Sequence, residues 1–285
     1  MAAATETMDR RRHVHRLWTN VASRWAAHAD DVDVRVAELT AKLLAAASLR
    51  PGDRVLELAC GPGGAGLAAA ERVAPGGAVV LSDIVEEMVA IADARRRQRG
   101  LGNVTTAVLD IEDIDQPDST FDVVLCREGL MFAVQPERAV AEIHRVLAPA
   151  GRVAVSVWGA QLDNPWLGLV ADAVGATVGM QIPPPGMPGP FALGDQARLR
   201  WLLTQAGFLD VAVSEVAVPL RVSSFEAWWA RTTELAGPLA AIIARLDDTD
   251  RAALQGRLRA AAQPYATDAG IEFPGQAILA WGRRP

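Results

Sequence analysis

Val55-Leu56-Glu57-Leu58-Ala59-Cys60-Gly61-Pro62-Gly63-Gly64 is the stretch that decides the fold. A short apolar run carrying one carboxylate enters a glycine-rich turn, and ten residues of helical character, Gly64 to Val73, follow at once. Glycine lets a backbone turn tightly and approach a ligand closely, and the first turn of the helix behind it leaves N–H groups free to meet an anion. A carboxylate at the end of such a strand, Glu57, is suited to an ammonium group.

Outward from this turn, short apolar runs alternate with helix-length segments. Strands are expected at Arg54–Leu58, Ala78–Ser82, Val104–Leu109, Phe121–Cys126 and Gly151–Trp158. The fourth is continuously apolar, as a strand buried on both faces is. Helices are expected at Gly64–Val73, Val85–Arg99 and Pro136–Leu147, the last with proline in its first turn. Alternation of this kind builds a mostly parallel sheet with helices on both faces.

Residues 13–48 read as helical, with Val34, Val36, Leu39, Leu43 and Leu44 near one stripe, until Arg50-Pro51-Gly52-Asp53 breaks the pattern. Beyond residue 160, Asn164–Met180 and Asp195–Ala206 read as helices, Ile182–Pro190 as a rigid proline-rich loop, and Val211–Val218 as a sixth strand. About fifty residues of helical character precede a last strand at Gln276–Trp281. An insertion of that size cannot lie inside the sheet and is expected to form a cap. The fold class is therefore α/β: a Rossmann-like, doubly wound, mostly parallel seven-stranded sheet with a helical N-terminal cover and a helical cap between the last two strands. The expected division is 1–48 as cover, 49–160 as binding core and 161–285 as acceptor-side region, its cap helices at about 220–268.

Composition narrows the function. Of the 285 residues 51% are hydrophobic, enough for a sizeable core, and the formal net charge of −6 argues against a nucleic-acid partner. Two cysteines, Cys60 and Cys126, give neither a metal-ligand pair nor an iron–sulfur cluster and are expected as free thiols; no metal is expected. His13 and His15 lack acidic partners for one. No run reaches the roughly 18 apolar residues of a membrane span, and Met1–Arg16 lacks the apolar core of a secretory signal, so a cytoplasmic protein is expected, monomeric or homodimeric.

The run Glu57-x-Ala59-x-Gly61-x-Gly63 resembles the first motif of class I S-adenosylmethionine-dependent methyltransferases, with alanine where the pattern more often has its first glycine. Asp83, twenty residues after Gly63, stands at the next strand end, where a carboxylate accepts hydrogen bonds from a ribose diol. Asp110-Ile111 resembles the position whose acid meets the adenine amino group while the apolar neighbour packs the ring. Phe121–Cys126 and Glu142-Ile143-His144-Arg145-Val146-Leu147-Ala148-Pro149-Ala150-Gly151 are similar to the family's fourth strand and its "RVLKPGG" turn, Ala148 and Ala150 replacing lysine and glycine. The resemblance covers residues 50–160 and is to the small-molecule, type 11 or UbiE-like members. It implies S-adenosylmethionine as cofactor, held by Glu57, Gly61, Gly63, Asp83, Ile84, Asp110, Ile111 and Arg127.

Gly61-x-Gly63-x-x-Gly66 also satisfies the dinucleotide fingerprint, so an NAD-dependent oxidoreductase is the rival. Glu57 would then point its charge at a pyrophosphate, and the single tyrosine, Tyr265, and single lysine, Lys42, form no Tyr-x-x-x-Lys pair. A protein of the same fold that keeps S-adenosylmethionine without methylating is a further alternative.

The acceptor is expected to be a small, largely apolar molecule, methylated on oxygen, nitrogen or carbon. Enzymes that methylate amide or base nitrogens often carry (Asp/Asn)-Pro-Pro-(Tyr/Phe) after the fourth strand; here Arg127-Glu128-Gly129-Leu130-Met131-Phe132 stands there. That run resembles the "C-x-Q-G-L-Q-F" segment of small-molecule relatives, making Glu128 the candidate general base, against the competing reading of an ordinary paired or exposed glutamate. His144 is expected to serve packing. Trp18, Trp25, Trp166, Trp228 and Trp229 lie outside the sheet and could either line an acceptor pocket or join cap helices; Trp25 resembles the family's cover over the cofactor.

Overall fold

The computed structural model describes residues 2–184 and 186–285; Met1, and Pro185 of the proline-rich loop, lie outside the described residues. In chain order the elements are α1 (Ala2–Thr19), α2 (Ala22–Ala27), α3 (Ala29–Arg35), α4 (Ala37–Ala46), β1 (Arg54–Glu57), α5 (Gly64–Val73), β2 (Ala78–Asp83), α6 (Glu86–Gln98), β3 (Val104–Val108) and β4 (Phe121–Arg127). Then come α7 (Pro136–Val146), β5 (Leu147–Trp158), α8 (Pro165–Val178), α9 (Gln196–Gln205), β6 (Leu209–Ala217), β7 (Leu220–Val222) and α10 (Phe225–Leu235). The chain closes with α11 (Pro238–Ile243), α12 (Asp248–Ala262), β8 (Ala266–Thr267), β9 (Gly270–Phe273) and β10 (Gln276–Arg283).

Seven strands form one sheet in the order β3-β2-β1-β4-β5-β10-β6. The five on the β3 side are parallel, and β10 runs antiparallel between β5 and β6. Chain order reverses between β1 and β4, and ligands of open α/β sheets bind at the carboxyl ends of the strands beside such a switch point. Apolar side chains from both sheet faces and from α4, α5, α7 and α9 make the main core, in which Val55, Leu56, Val123, Val124 and Leu125 are fully buried.

The expected strands and the helices flanking them stand within a few residues of their assigned ends. The N-terminal segment differs: it is four helices, broken near Val21, His28 and Val36 with no proline or glycine to announce the breaks. The apolar stripe begins at Val36, because Val34 is 77% exposed. Val85 and Met88 pack with Ala22, Trp18 and Trp25, which seats this cover on α6.

The region between β6 and β10 is not wholly helical. β7, β9 and β8 form a small antiparallel sheet, too short to show as alternation in sequence. Together with α8, α10, α11 and α12 it encloses a second core around Trp228, Phe273, Leu254 and Leu258. Trp228 is 1% exposed, packs against Phe225 and Phe273, and donates its indole N–H to the Trp166 carbonyl at 2.9 Å. It holds the cap together.

None of the described helices is long and apolar enough to cross a membrane. Trp228→Ala is expected to cost about 3–5 kcal/mol, the usual loss for a large buried aromatic, whereas Trp201→Ala, at a 44% exposed position, stays within about 0.5 kcal/mol. Denaturant unfolding of the two variants checks the contrast.

Candidate active site

A cavity of about 240 Å³ lies along the carboxyl ends of β1, β2, β4 and β5, roofed by α1, α2, α3 and α10. Its floor begins with the turn after β1. Ala59 (φ 50°), Gly61 (φ 50°) and Gly63 (φ 88°) all take the left-handed region. The alanine at the family's first glycine position thus keeps glycine's conformation, at a steric cost a glycine avoids. Its methyl group needs Gly129 beside it: a Cβ on Gly129 would stand 2.4 Å from that of Ala59. Gly61 borders the cavity, with open space where a side chain would go. Gly63 does not line it, and a Cβ there would press on Leu81 at 3.0 Å and Ala92 at 3.2 Å.

Asp83 closes β2. Its carboxylate accepts Gly61 N–H at 2.9 Å and Val85 N–H at 3.0 Å while bordering the cavity. Burial pushes its pKa up and the backbone N–H groups oppose the rise. Ile84, Asp110 and Ile111 line the same end. Asp110 caps Glu112 N–H at 2.8 Å and stands 3.5 Å from the Arg11 guanidinium. Arg11 also pairs with the buried Glu112 carboxylate, which clamps α1 across this end.

Glu57 is placed otherwise than its strand-end position implies. It is 1% exposed and outside the cavity lining, with its carboxylate accepting Gly66 N–H at 2.8 Å as a cap on α5. Burial raises its pKa to about 7 against the pull of the Arg127 charge. Arg127 does line the cavity, but its guanidinium is engaged: it donates to Thr40 Oγ1 at 2.7 Å and to Asp33 at 3.0 Å. Asp33 accepts a second bond, from Arg95 at 2.8 Å, and its carboxylate fills the space where a Cβ on Gly64 would stand. Asp33 and Thr40 carry no motif that sequence reading could have found.

Glu128 follows β4 with φ 60°, an uncommon conformation for a side chain of its size. It lines the cavity, and both carboxylate oxygens are shut from solvent without a hydrogen-bond partner among the described residues. Burial pushes its pKa up to about 7, opposed by the Arg127 charge, the neighbouring Ser156 hydroxyl, which stops short of hydrogen-bond geometry, and the Arg35 charge. An enclosed carboxylate left without partners is costly, and strain of this kind gathers at sites of function.

The walls beyond Glu128 are Trp158, Trp166, Leu167 and Leu220, with Arg35 above and Arg231 on α10. Trp18 and Trp25 line the cavity from the roof; Trp228 and Trp229 do not, so the adjacent pair serves the cap rather than the pocket. The roof is tied across: Trp25 donates its indole N–H to Leu235 O at 3.2 Å, and His28 meets Glu234. Of the proline-rich loop, Pro190 reaches the cavity. His144 packs edge-on against Phe208, as expected. Tyr265 lies against Phe273 and Lys42 pairs with Glu38, both away from the cavity.

Residues 49–207, more than half of the chain, match the family described as a methyltransferase domain. The chain belongs to this class I family. Similar proteins include the ubiquinone/menaquinone biosynthesis C-methyltransferase UbiE of Hydrogenovibrio crunogenus, 42% identical over 108 residues, covering 38% of this chain and 42% of that one. UbiE of Bordetella parapertussis is 36% identical over 148 residues, covering 52% and 57%. The chain therefore spans about half the length of these curated relatives. Among solved structures, the YcgJ protein of Bacillus subtilis is similar with a TM-score of 0.58 and 20% identity over 86% of this chain and 97% of that one, a likeness of fold. The family's cofactor is S-adenosylmethionine, and the strand-end acids, open glycine turn and apolar ledges at Ile84 and Ile111 fit its ribose and base.

The contact between Ala59 and Gly129 yields a double-mutant test. Gly129→Ala alone is expected to lose about 1–3 kcal/mol through overpacking, and Ala59→Gly in the same chain should restore most of it. Unfolding curves of the two single variants and the double variant measure the coupling; additive losses would contradict the contact.

Proposed function

We propose that this chain transfers a methyl group from S-adenosylmethionine to a small, largely apolar acceptor, with Glu128 as general base where the acceptor must lose a proton. The observation that carries the proposal is the enclosed, unpartnered Glu128 carboxylate between the acids of the cofactor end and the tryptophan walls. The UbiE relatives, named as C-methyltransferases, agree with it.

The cofactor supplies an activated sulfonium methyl group, so the protein's task is alignment and exclusion of water. Asp83 would take the ribose diol, with Asp110 at the base and Ile84 and Ile111 against the ring. Gly61 offers open backbone to the methionine portion. Glu57, Gly63 and Arg127 would act from behind, holding the turn, α5 and Asp33 in place. In this division residues 1–48 cover the ligands, 49–160 bind the cofactor and 161–285 enclose the acceptor. The setting we assign is the cytoplasm.

Release of S-adenosylhomocysteine against a panel of phenols, quinols and lipophilic amines tests the activity. Cofactor binding without release from any acceptor would favour a non-methylating member of the fold.

Glu128 also gives a pH signature. With its pKa at about 7, the carboxylate is protonated below that pH and ionised above it, and a general base must be ionised. Acceptor kcat/KM is therefore expected to rise with pH and level off above about 7, or somewhat lower with the cationic cofactor bound. Glu128→Gln should abolish this limb and lower kcat/KM by about 10²- to 10⁴-fold without weakening S-adenosylhomocysteine binding. The same limb persisting in the variant would assign it to another group.

A further inference from the structure

Four arginines line the cavity: Arg11, Arg127, Arg35 and Arg231. The first two have acids. Arg11 pairs with Glu112 and stands 3.5 Å from Asp110, and Arg127 meets Asp33 at 3.0 Å. The other two have none: among the described residues no carboxylate lies within salt-bridge distance of Arg35 or Arg231. The difference follows the geography of the sheet. The paired arginines stand at the ends of β3 and β4, whereas Arg35 sits over the end of β5 and the start of β7.

Arg35 is held in place without a salt bridge, and Glu128 is the carboxylate whose charge acts on it from a distance. Its guanidinium lies over the Trp166 ring at 4.0 Å and near the Trp158 ring at 5.2 Å. One Nη donates to Val218 O at 3.4 Å, while its Nε is buried with no partner. Stacking on indoles fixes the plane of the guanidinium and leaves its N–H edge to choose a ligand. Arg231 reaches the same cavity from α10, close enough for the two positive charges to act on each other. Burial and this repulsion push the Arg35 pKa down to about 9 against the pull of the Glu128 charge; burial also lowers that of Arg231, and the exposed Asp31 acts on it only from beyond pairing distance. Two cations kept together in a desolvated pocket destabilise the fold unless an anion joins them.

We infer that Arg35 and Arg231 form a carboxylate-binding subsite on the acceptor side, so that the methyl acceptor is an apolar molecule carrying one acid group. Apart from the long bond to Val218 O, the Arg35 guanidinium has no acceptor among the described residues, and its planar fork is the shape a carboxylate matches. Charge selects a monoanion: two guanidinium groups against one ionised Glu128 leave a single positive charge to neutralise. This rests on the methyltransferase reading, and it refines "largely apolar" to amphiphilic.

Calorimetry on the full chain saturated with S-adenosylhomocysteine tests it, using trans-cinnamate, 1-naphthoate and decanoate, each against its carboxamide. Failure of the wild type to bind S-adenosylhomocysteine defeats the methyltransferase reading itself, before the subsite is reached. With that ligand bound, at least one carboxylate is expected to bind ten times or more tighter than its amide. Arg35→Gln and, independently, Arg231→Gln should remove the preference while leaving S-adenosylhomocysteine affinity within twofold. Arg231 lies on the cap and is only partly buried, so its variant stands if Arg35→Gln fails to fold. The subsite is overturned if no acid outbinds its amide, or if the preference survives in the folded variants. It is also overturned if the variants lose S-adenosylhomocysteine instead, for the arginines would then hold the cofactor's own carboxylate.

Discussion

The geometry of the cavity hangs from one backbone constraint, the left-handed turn between β1 and α5. Three residues within five, Ala59, Gly61 and Gly63, carry positive φ, and the chain doubles back tightly enough for α5 to start directly above its own strand. Glu57 fastens the result by accepting Gly66 N–H from inside the helix. A Cβ on Gly66 would meet Leu81 at 2.2 Å and that same carboxylate at 2.5 Å, so helix and strand touch with no room for a side chain. From the rim of this turn Gly61 N–H reaches Asp83, which ties the ends of β1 and β2 into one ledge. The buried carboxylate that a strand-end position would aim at a ligand is spent on the scaffold, one layer behind the site.

On this ledge the cavity divides by electrostatics. Toward β3, acids and arginines are matched: Arg11 with Glu112 and Asp110, and beyond them Arg127 and Arg95 with Asp33. Toward β5 they are not: Glu128 and Arg35 keep buried polar atoms without a partner, and Arg231 has no acid within salt-bridge distance among the described residues, in a pocket walled by Trp158 and Trp166. The unmatched charges beyond β4 are the ones we assign to the acceptor. The roof belongs to both halves, since bonds from Arg24, Trp25 and His28 to α10 join the N-terminal cover to the cap.

The sheet was legible because its signals are local: apolar runs of strand length, glycine turns and acids at strand ends. The two departures in which alanine replaces glycine keep the local geometry, for Ala59 and Ala150 both take the left-handed conformation of the glycines they replace, at φ 50° and 61°. What escaped depends on partners far away in sequence. The four-way break of residues 2–46 comes with tertiary contacts such as Trp25 to Leu235, not with helix-breaking residues. The role of Trp228 is set by Phe273 and Trp166, and the β7–β9–β8 sheet is built from strands of two to four residues. One signal was available and easy to pass over. In the sequence Arg35 stands at helical spacing from Leu39 and Leu43, in line with an apolar stripe although the chain breaks at Val36 between them, and a charge in such a line is uncommon unless it has work to do.

The central claim is that the turn after β1 and the acid ending β2 form the cofactor ledge, with the acceptor lying beyond β4. A crystal structure of the S-adenosylhomocysteine complex tests it most directly. The account predicts ribose hydroxyls within about 3 Å of the Asp83 carboxylate, the adenine between Ile84 and Ile111, and the sulfur directed toward Glu128 with Arg35 and Arg231 left untouched. A ribose bound elsewhere, or a nucleoside seated among Trp158, Trp166 and Arg35, would contradict it.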